Sequence, residues 1–402
     1  MVAFHYPPAG FSSGVHRTLC FANDLVDLGW SPTVLTASPN AYPTRFDDTC
    51  ARIRPEVTVT RGWTINSAQT LAVAGRYLRG LALPDRWSSW ILSGVIRGLQ
   101  TIRRQPPKAL WSTYPIASAH VIGLILHRLT GLPWVADFRD PMYDQHFPNH
   151  PWERRSHQWI EAKVMRHARF AVVTTEGTAK ELAQRHATKN HDGARYEVIA
   201  NGYDPQLFVQ APKHPGPREH ITLLHSGLLD PADRPPQALL NAIRVLNTER
   251  HLPPIRLHLR APGNEGQLNA LIKMAGCDDA VRLLPPLPCQ AAINEICQSD
   301  ALVLLQGPSC PNQIPAKLYE YMRSERPVLG LCSPNSETAQ LLRHAGVSHV
   351  AQIDNNEAVT KQLARLRLQL VRGDALGVSQ SVVETHSRTQ RARELNALLR
   401  TL

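Results

Sequence analysis

The chain has 402 residues, 43% apolar and 19% charged, enough for two cores of ordinary size and too apolar for wholesale disorder. Lysine and arginine outnumber aspartate and glutamate by 44 to 33, a net charge of +11 that favours anionic partners: phosphates, nucleic acid or acidic lipid. Seven scattered cysteines with no Cys-x-x-Cys pair argue against a metal cluster or disulfide framework and fit a reducing cytoplasm, and no apolar run approaches the roughly 18–20 residues of a membrane span.

The opening "MVAFHYPPAG" lacks the basic start and long apolar stretch of a signal peptide and reads as a short first strand. "PPAGFSSGVHRTL" then sets Gly10 and Gly14 around Ser12 and Ser13, ahead of a helix over 15–29. Glycines admit close approach of backbone to ligand, and a helix start attracts anions. The G-x-G-x-x-G fingerprint is absent, and an ordinary strand-to-helix turn explains the loop equally well.

The region 61–108 carries Arg61, Arg76, Arg79, Arg86, Arg97, Arg103, Arg104 and Lys108 against Asp85 alone. Helical spacing puts Arg86, Ser89, Ser93, Arg97, Gln100 and Arg104 on one face of 86–104. Trp87, Ile91, Leu92, Val95, Ile96, Leu99 and Ile102 fall on the other. Such a segment can lie in an anionic membrane interface, or pack its apolar side on its own sheet.

Strand patterns at 31–37, 109–115, 133–140, 170–176 and 196–202 alternate with helical patterns at 117–130, 152–167 and 177–186. "PWVADFRD" ends on Asp137, Arg139 and Asp140, with Pro141 to stop it. Charges there are costly unless paired or wet. A structural ion pair is one reading; a ligand site at the strand's carboxyl end is the other. A metal-binding Asp-x-Asp occurs nowhere, so protein cations rather than a metal would have to carry a diphosphate.

"QAPKHPGPREH" (210–220) reads as a linker, after which strands recur at 221–227, 255–262, 280–287, 301–307, 327–333 and 349–354. The pattern predicts an α/β chain of two Rossmann-like, doubly wound parallel-sheet domains facing a cleft. Their bounds are 1–204 and 221–375, with a linker at 205–220 and a C-terminal helix in 376–402 returning to the first domain. Gly227 follows the first strand of the second half, and Arg234 precedes the next helix. In "IPAKLYEYMRSERPVL", Pro315 fits a first helical position, Asn312 is a nearby cap, and the amides of 315–318 would face an anion beside Lys317. Glu320 lies one turn on; a plain ion pair with Lys317 is the ordinary explanation, worth about 0.2–0.5 kcal/mol.

Five stretches in this order, "PPAGFSSGVHR", "PWVADFRDPM", "VVTTEGTAKEL", "VIANGYDPQLF" and "IPAKLYEYMRSERPVLGL", resemble the family 4 glycosyltransferases of the GT-B fold, nearest to the branch that builds bacterial cell-surface polysaccharides. The resemblance implies transfer of a sugar, with retention, from a nucleotide diphosphate sugar to a glycan, glycolipid or small-molecule acceptor. It implies no further cofactor and no metal. Arg234 and Lys317 would stabilise the leaving diphosphate, and Glu320 would bond the ribose. Gly14, Gly227, Ile314 and Leu318 would contact the nucleotide. Arg139 and Asp140 would stand near the transferred sugar, the acceptor mainly on the first domain. Asn312 replaces an acid common in the family, and Leu228 replaces an arginine. A cytoplasmic enzyme peripheral at the inner membrane face follows, with an anionic membrane surface as partner. The other readings are an epimerase or hydrolase of the same fold and a non-catalytic nucleotide-sugar binder. Nucleic acid is not an expected partner: only charge suggests it, without a stacking motif or zinc finger.

Overall fold

The computed structural model describes residues 1–402 except 11–12, 71–81, 146, 188–192, 213, 215–218 and 375–377. Ser12, Arg76, Arg79 and five positions of the expected linker therefore lie outside the described residues. By its internal contacts the chain forms two units: Met1–Asn201 with Arg388–Leu402, and Gly202–Ser387.

The first unit is built on a seven-stranded parallel sheet of order β3-β2-β1-β4-β5-β6-β7. Its strands are β1 (Val2–Ala3), β2 (Thr33–Ala37), β3 (Thr58–Gly62), β4 (Leu110–Thr113), β5 (Trp134–Arg139), β6 (Phe170–Val173) and β7 (Arg195–Val198). The helices among them are α1 (Ser13–Asp27), α2 (Ser67–Thr70), α3 (Trp90–Arg104), α4 (Ala117–Thr130), α5 (Pro151–His167) and α6 (Glu176–Arg185). Strands β4, β5 and β6 are buried along their whole length, as expected for strands covered on both faces. The edge strand β3, "TVTRG", escapes the sequence reading because three of its five residues are polar and only Gly62 is buried.

The second unit has a six-stranded parallel sheet of order β10-β9-β8-β11-β12-β13. Its strands are β8 (Ile221–Ser226), β9 (Ile255–Arg260), β10 (Val281–Leu284), β11 (Ala301–Leu305), β12 (Val328–Leu331) and β13 (Val350–Ala351). Its helices are α7 (Gln237–Leu246), α8 (Glu265–Met274), α9 (Cys289–Gln298), α10 (Lys317–Arg323), α11 (Glu337–His344), α12 (Asn356–Arg372) and α13 (Gln380–Thr385). Both sheets reverse their strand order beside their first strand, between β1 and β4 and between β8 and β11, where open α/β sheets bind ligands.

The beginning of the expected linker is not extended chain. Pro205–Phe208 form a 3₁₀ turn capped by Asp204, Leu207 and Phe208 are buried, and the Arg323 guanidinium lies 5.4 Å over the Phe208 ring. The last helix, α14 (Arg388–Leu399), belongs to the first unit. It lies against α1, where the Trp30 indole donates to Asn396 Oδ1 at 2.8 Å and Leu395 and Leu398 join Phe21 and Leu25.

The 86–104 segment divides differently from its helical pattern. Trp87 and Trp90 are in the core, and Gly94 and Gly98 face α4, where an added Cβ would come within 2.5 and 2.7 Å of Ile122 and Leu126. Ser93 is turned to the carbonyl of Trp63 and Ser89 to Ile65. Leu92 and Ile96, expected to be covered, are instead 70% and 48% exposed. The two tryptophans are thus unavailable to a membrane; the two aliphatic side chains are exposed.

Candidate active site

In the second unit the strand ends around the switch point carry the predicted cations. Strand β8 ends "LLHSG", and Gly227 turns the chain at a φ of 101°, a conformation that suits glycine. A side chain there would meet the Lys317 ammonium at 3.1 Å, so the glycine keeps that space open. Lys317 Nζ lies 3.3 Å from His225 Nε2. The other ring nitrogen of His225 donates to the Val303 carbonyl at 2.9 Å, which leaves Nε2 as an acceptor for the ammonium. His225 is buried, and burial with the nearby Lys317 charge holds its pKa well below the ordinary histidine value, so the ring is neutral. Burial, then the Arg234 guanidinium, pushes Lys317 down to about 7; Glu320 opposes them.

Arg234 donates to the Leu228 carbonyl at 3.1 Å and stands 3.6 Å from Asp233. The loop is seated on Gly307, where a Cβ would fall 2.2 Å from the Asp233 carbonyl. Gln306, buried at the end of β11, donates to the carbonyls of Cys310 and Gln313 at 2.9 and 2.7 Å and so shapes the turn that delivers Lys317. Tyr321 reaches back from α10 to accept the Ser226 amide at 2.8 Å. The structure therefore brings together Gly227, Arg234, Lys317 and Glu320, as the sequence suggested. It adds His225, Gln306, Asp233 and Tyr321, whose roles depend on contacts 70 or more residues apart for His225 and Tyr321 and had no local signal.

Three details of the opening turn differ from expectation. Helix α10 starts at Lys317, with Ala316 at its cap and no side-chain cap bond, so Pro315 precedes the helix and Asn312 does not cap it. The Leu318 amide is bonded to the Pro315 carbonyl at 2.9 Å and cannot serve an anion. Leu318 itself is fully buried, which removes its side chain from the nucleotide; Ile314 is half-buried. A seven-residue helix with one amide withdrawn contributes little as a dipole, and the ammonium is the principal positive charge of this turn.

In the first unit the charges of "DFRD" separate by role. Asp137 is fully buried and takes a forked pair of bonds from Arg17 at 2.9 and 3.0 Å, with Thr113 at 2.9 Å. Arg17 also donates to the carbonyls of Ile199 and Ala200, both at 3.0 Å. That pair is structural. Arg139 closes β5 in a left-handed conformation, φ 63°, at a register shift against β6, where Thr174 Oγ1 holds its carbonyl at 2.8 Å. A non-glycine residue there costs about 1–3 kcal/mol, and such strain gathers at functional positions. Its buried guanidinium donates to the Tyr114 carbonyl at 3.3 Å. Burial raises the Asp140 carboxyl, and Arg139 and Arg17 pull it back. Burial, then Arg139, brings His5 down to about 4, so it is neutral beside them. Gly14 is buried in the first turn of α1, beyond the loop it was expected to free.

Two doubly wound parallel sheets with charged, ligand-side strand ends are the architecture of the GT-B fold. Residues 14–202, just under half of the chain, match the model of the glycosyl transferase 4-like domain, and the first unit is in this respect similar to the family 4 glycosyltransferases. Solved structures agree over its whole length. Sucrose-phosphate synthase from Thermosynechococcus elongatus superposes with a TM-score of 0.72 at 13% identity, covering 100% of this chain and 98% of the other. HepE of Anabaena in complex with UDP-glucose gives 0.68 at 15% identity, covering 100% and 99%. WaaG, a glycosyltransferase involved in lipopolysaccharide biosynthesis, gives 0.65 at 13%, covering 99% of each. At these identities the likeness is one of fold. No curated protein matches the chain in sequence.

Proposed function

We propose that the chain moves a sugar, with retention, from a nucleoside diphosphate sugar to a glycan or lipid-linked acceptor of cell-surface polysaccharide synthesis. The observation that carries this reading is the Lys317 ammonium, set by neutral His225 beside Gly227 and within the field of Arg234. Transfer breaks the bond between the anomeric carbon and the diphosphate oxygen, and negative charge grows on that oxygen. Positioned cations stabilise such charge without reorganising at the moment of reaction. Two cations held together raise each other's energy, and the diphosphate relieves it. No metal is then required. Glu320, one turn along α10, accepts from the ribose hydroxyls, and Ile314 offers an apolar wall to the base. Arg139 and Asp140 act near the transferred sugar. HepE, solved with UDP-glucose, supports this donor class.

A lipid-linked acceptor would bring the enzyme to an anionic membrane surface from the cytoplasm. The exposed Leu92 and Ile96, with exposed Arg97, Arg103 and Arg104 on the same helix, fit such contact. No described helix is long and apolar enough to cross a membrane. The central test is product formation from a panel of nucleoside diphosphate sugars with and without EDTA. Turnover undiminished by EDTA is expected. Strict dependence on a divalent ion would contradict the role given to the two cations, and nucleotide binding without turnover on any acceptor would favour a non-catalytic binder.

A further inference from the structure

The amino ends of the first unit's strands form the edge of the sheet away from Arg139 and Asp140. Strand β5 runs from Trp134 to Arg139, so the two edges lie about 16 Å apart at about 3.3 Å per residue. At the amino edge opens a cavity of about 930 Å³, at the upper end of the roughly 300–1,000 Å³ usual for small-molecule sites. His127, Arg166, His167, Arg169 and Arg195 line it, and among the described residues no aspartate or glutamate does. Met165 and Tyr196 add apolar wall.

The concentration of positive charge has a topological cause. The last turns of α4 and α5 and the entries to β6 and β7 meet at this edge. Basic residues in a helix's last turn ordinarily offset the carbonyls there, which accounts for His127, Arg166 and His167. It does not account for Arg169 and Arg195, which enter strands and are tied together through the bond from the Arg195 amide to the Arg169 carbonyl at 3.1 Å. A nearby carboxylate, buried Glu161, is already shared by Arg185 at 3.0 Å and His186 at 2.7 Å. Among the described residues, no carboxylate pairs with Arg166, Arg169 or Arg195. The crowding is felt locally: Arg128 comes within 3.4 Å of His167, whose pKa is lowered by burial and then by Arg128, His127, Arg166 and Lys163. Like charges gathered around a concave, partly apolar wall lack one ingredient, a multiply charged anion.

We propose that this cavity binds a phosphate-bearing ligand, at a site separate from that of sugar transfer, through Arg166, Arg169 and Arg195. Their forked donors suit phosphate oxygens, and the cavity has room for more than a single phosphate. The phosphate can belong to a soluble phosphorylated molecule or to a lipid headgroup, and the experiment separates the two.

Inorganic pyrophosphate is titrated calorimetrically into the full chain carrying Lys317→Ala and Arg234→Ala, which silences the other anion site. In parallel, the same protein is sedimented with phosphatidylcholine vesicles containing or lacking phosphatidylglycerol. Adding Arg166→Gln, Arg169→Gln and Arg195→Gln should weaken whichever interaction is present at least about tenfold, the scale of losing charge-assisted bonds. The corresponding lysine triple, which keeps the charge but loses the fork, should weaken it less than the glutamine triple does. Pyrophosphate binding lost on substitution identifies a soluble ligand; vesicle binding alone, lost on substitution, identifies a headgroup. If melting shows the glutamine triple unfolded, the single variants Arg169→Gln and Arg195→Gln, both at exposed side chains, carry the test. No binding in either arm, or binding indifferent to these substitutions, overturns the proposal.

Discussion

Arg17 with Asp137 in the first unit, and Arg234 with Lys317 in the second, both set charged side chains at the carboxyl ends of strands. The first pair is opposite in sign, buried and bonded on both sides of the fork, with two further donors of Arg17 directed at the carbonyls of Ile199 and Ala200. The second pair is like in sign, half-buried, and steadied by a neutral histidine and a carbonyl. An opposite pair completed by its own fold has nothing left to offer a ligand and acts on stability. A like pair is incomplete until an anion arrives, and acts on binding and catalysis.

The comparison breaks first if Asp137→Asn is harmless. Leaving the buried Arg17 guanidinium without its counter-charge should cost about 3–5 kcal/mol in urea unfolding, with nucleotide binding unchanged in whatever remains folded. A loss under about 1 kcal/mol would show that the pair is not structural. The second unit should behave in the opposite way. Lys317→Ala or Arg234→Ala should lower kcat/KM by roughly 10²–10³, the size of one lost transition-state donor, while the melting temperature holds or rises as the repulsion between the two cations is relieved. Unfolding in place of this kinetic loss would put both pairs in one class.

Glu320→Ala sharpens the contrast further. A carboxylate accepting from ribose hydroxyls forms charge-assisted bonds, so nucleoside diphosphate binding should weaken roughly 10- to 100-fold by calorimetry. Unchanged affinity would reduce Glu320 to a surface partner of Lys317.

The pH response tests the like pair directly. Lys317 titrates at about 7 in the free protein, and a bound diphosphate must raise that value. Below pH 6 the ammonium is present in both states and affinity is flat. Above pH 7 the free protein loses the proton and the complex keeps it, so binding takes up a proton and affinity falls by up to about tenfold per pH unit. Titrations in buffers of different ionisation enthalpy read the proton uptake, and Lys317→Ala should abolish it. Binding without proton uptake at pH 8 would refute the assignment. The smallest effect expected is at α3, where Leu92→Asp with Ile96→Asp should reduce sedimentation with phosphatidylglycerol vesicles several-fold and leave turnover on a soluble acceptor alone; equal sedimentation would make those side chains ordinary exposed aliphatics.

Much of this molecule follows from local pattern. Eleven strand patterns fall on observed strands, the clearest being β11, a continuous apolar run because it is covered on both faces, and 117–130 is a helix to the residue, closed by Gly131 in a left-handed turn. The weak strand β3 was lost because an edge strand with polar residues has no such run. Gly227, Arg234, Lys317 and Glu320 each follow a strand in the chain, which made them candidates for a ligand-side edge; only the family resemblance gave them roles.

Tertiary structure decided what those residues do. Sequence set Asp137, Arg139 and Asp140 side by side with no means of dividing them; Arg17, 120 residues earlier, takes Asp137 into the core and leaves the other two at the strand's end. Helical spacing placed Trp87, Leu92 and Ile96 on one face, but the close approach of α3 to α4 at Gly94 and Gly98 rotated the burial, covering the tryptophan and exposing the aliphatics. His225 looked like any histidine in a strand until the Val303 carbonyl chose its tautomer and aimed its lone pair at Lys317. Periodicity is a property of neighbours along the chain, so the sequence determined the elements and their order. Charge pairing, tautomer and exposure are set by neighbours in space, and only the folded chain brings those together.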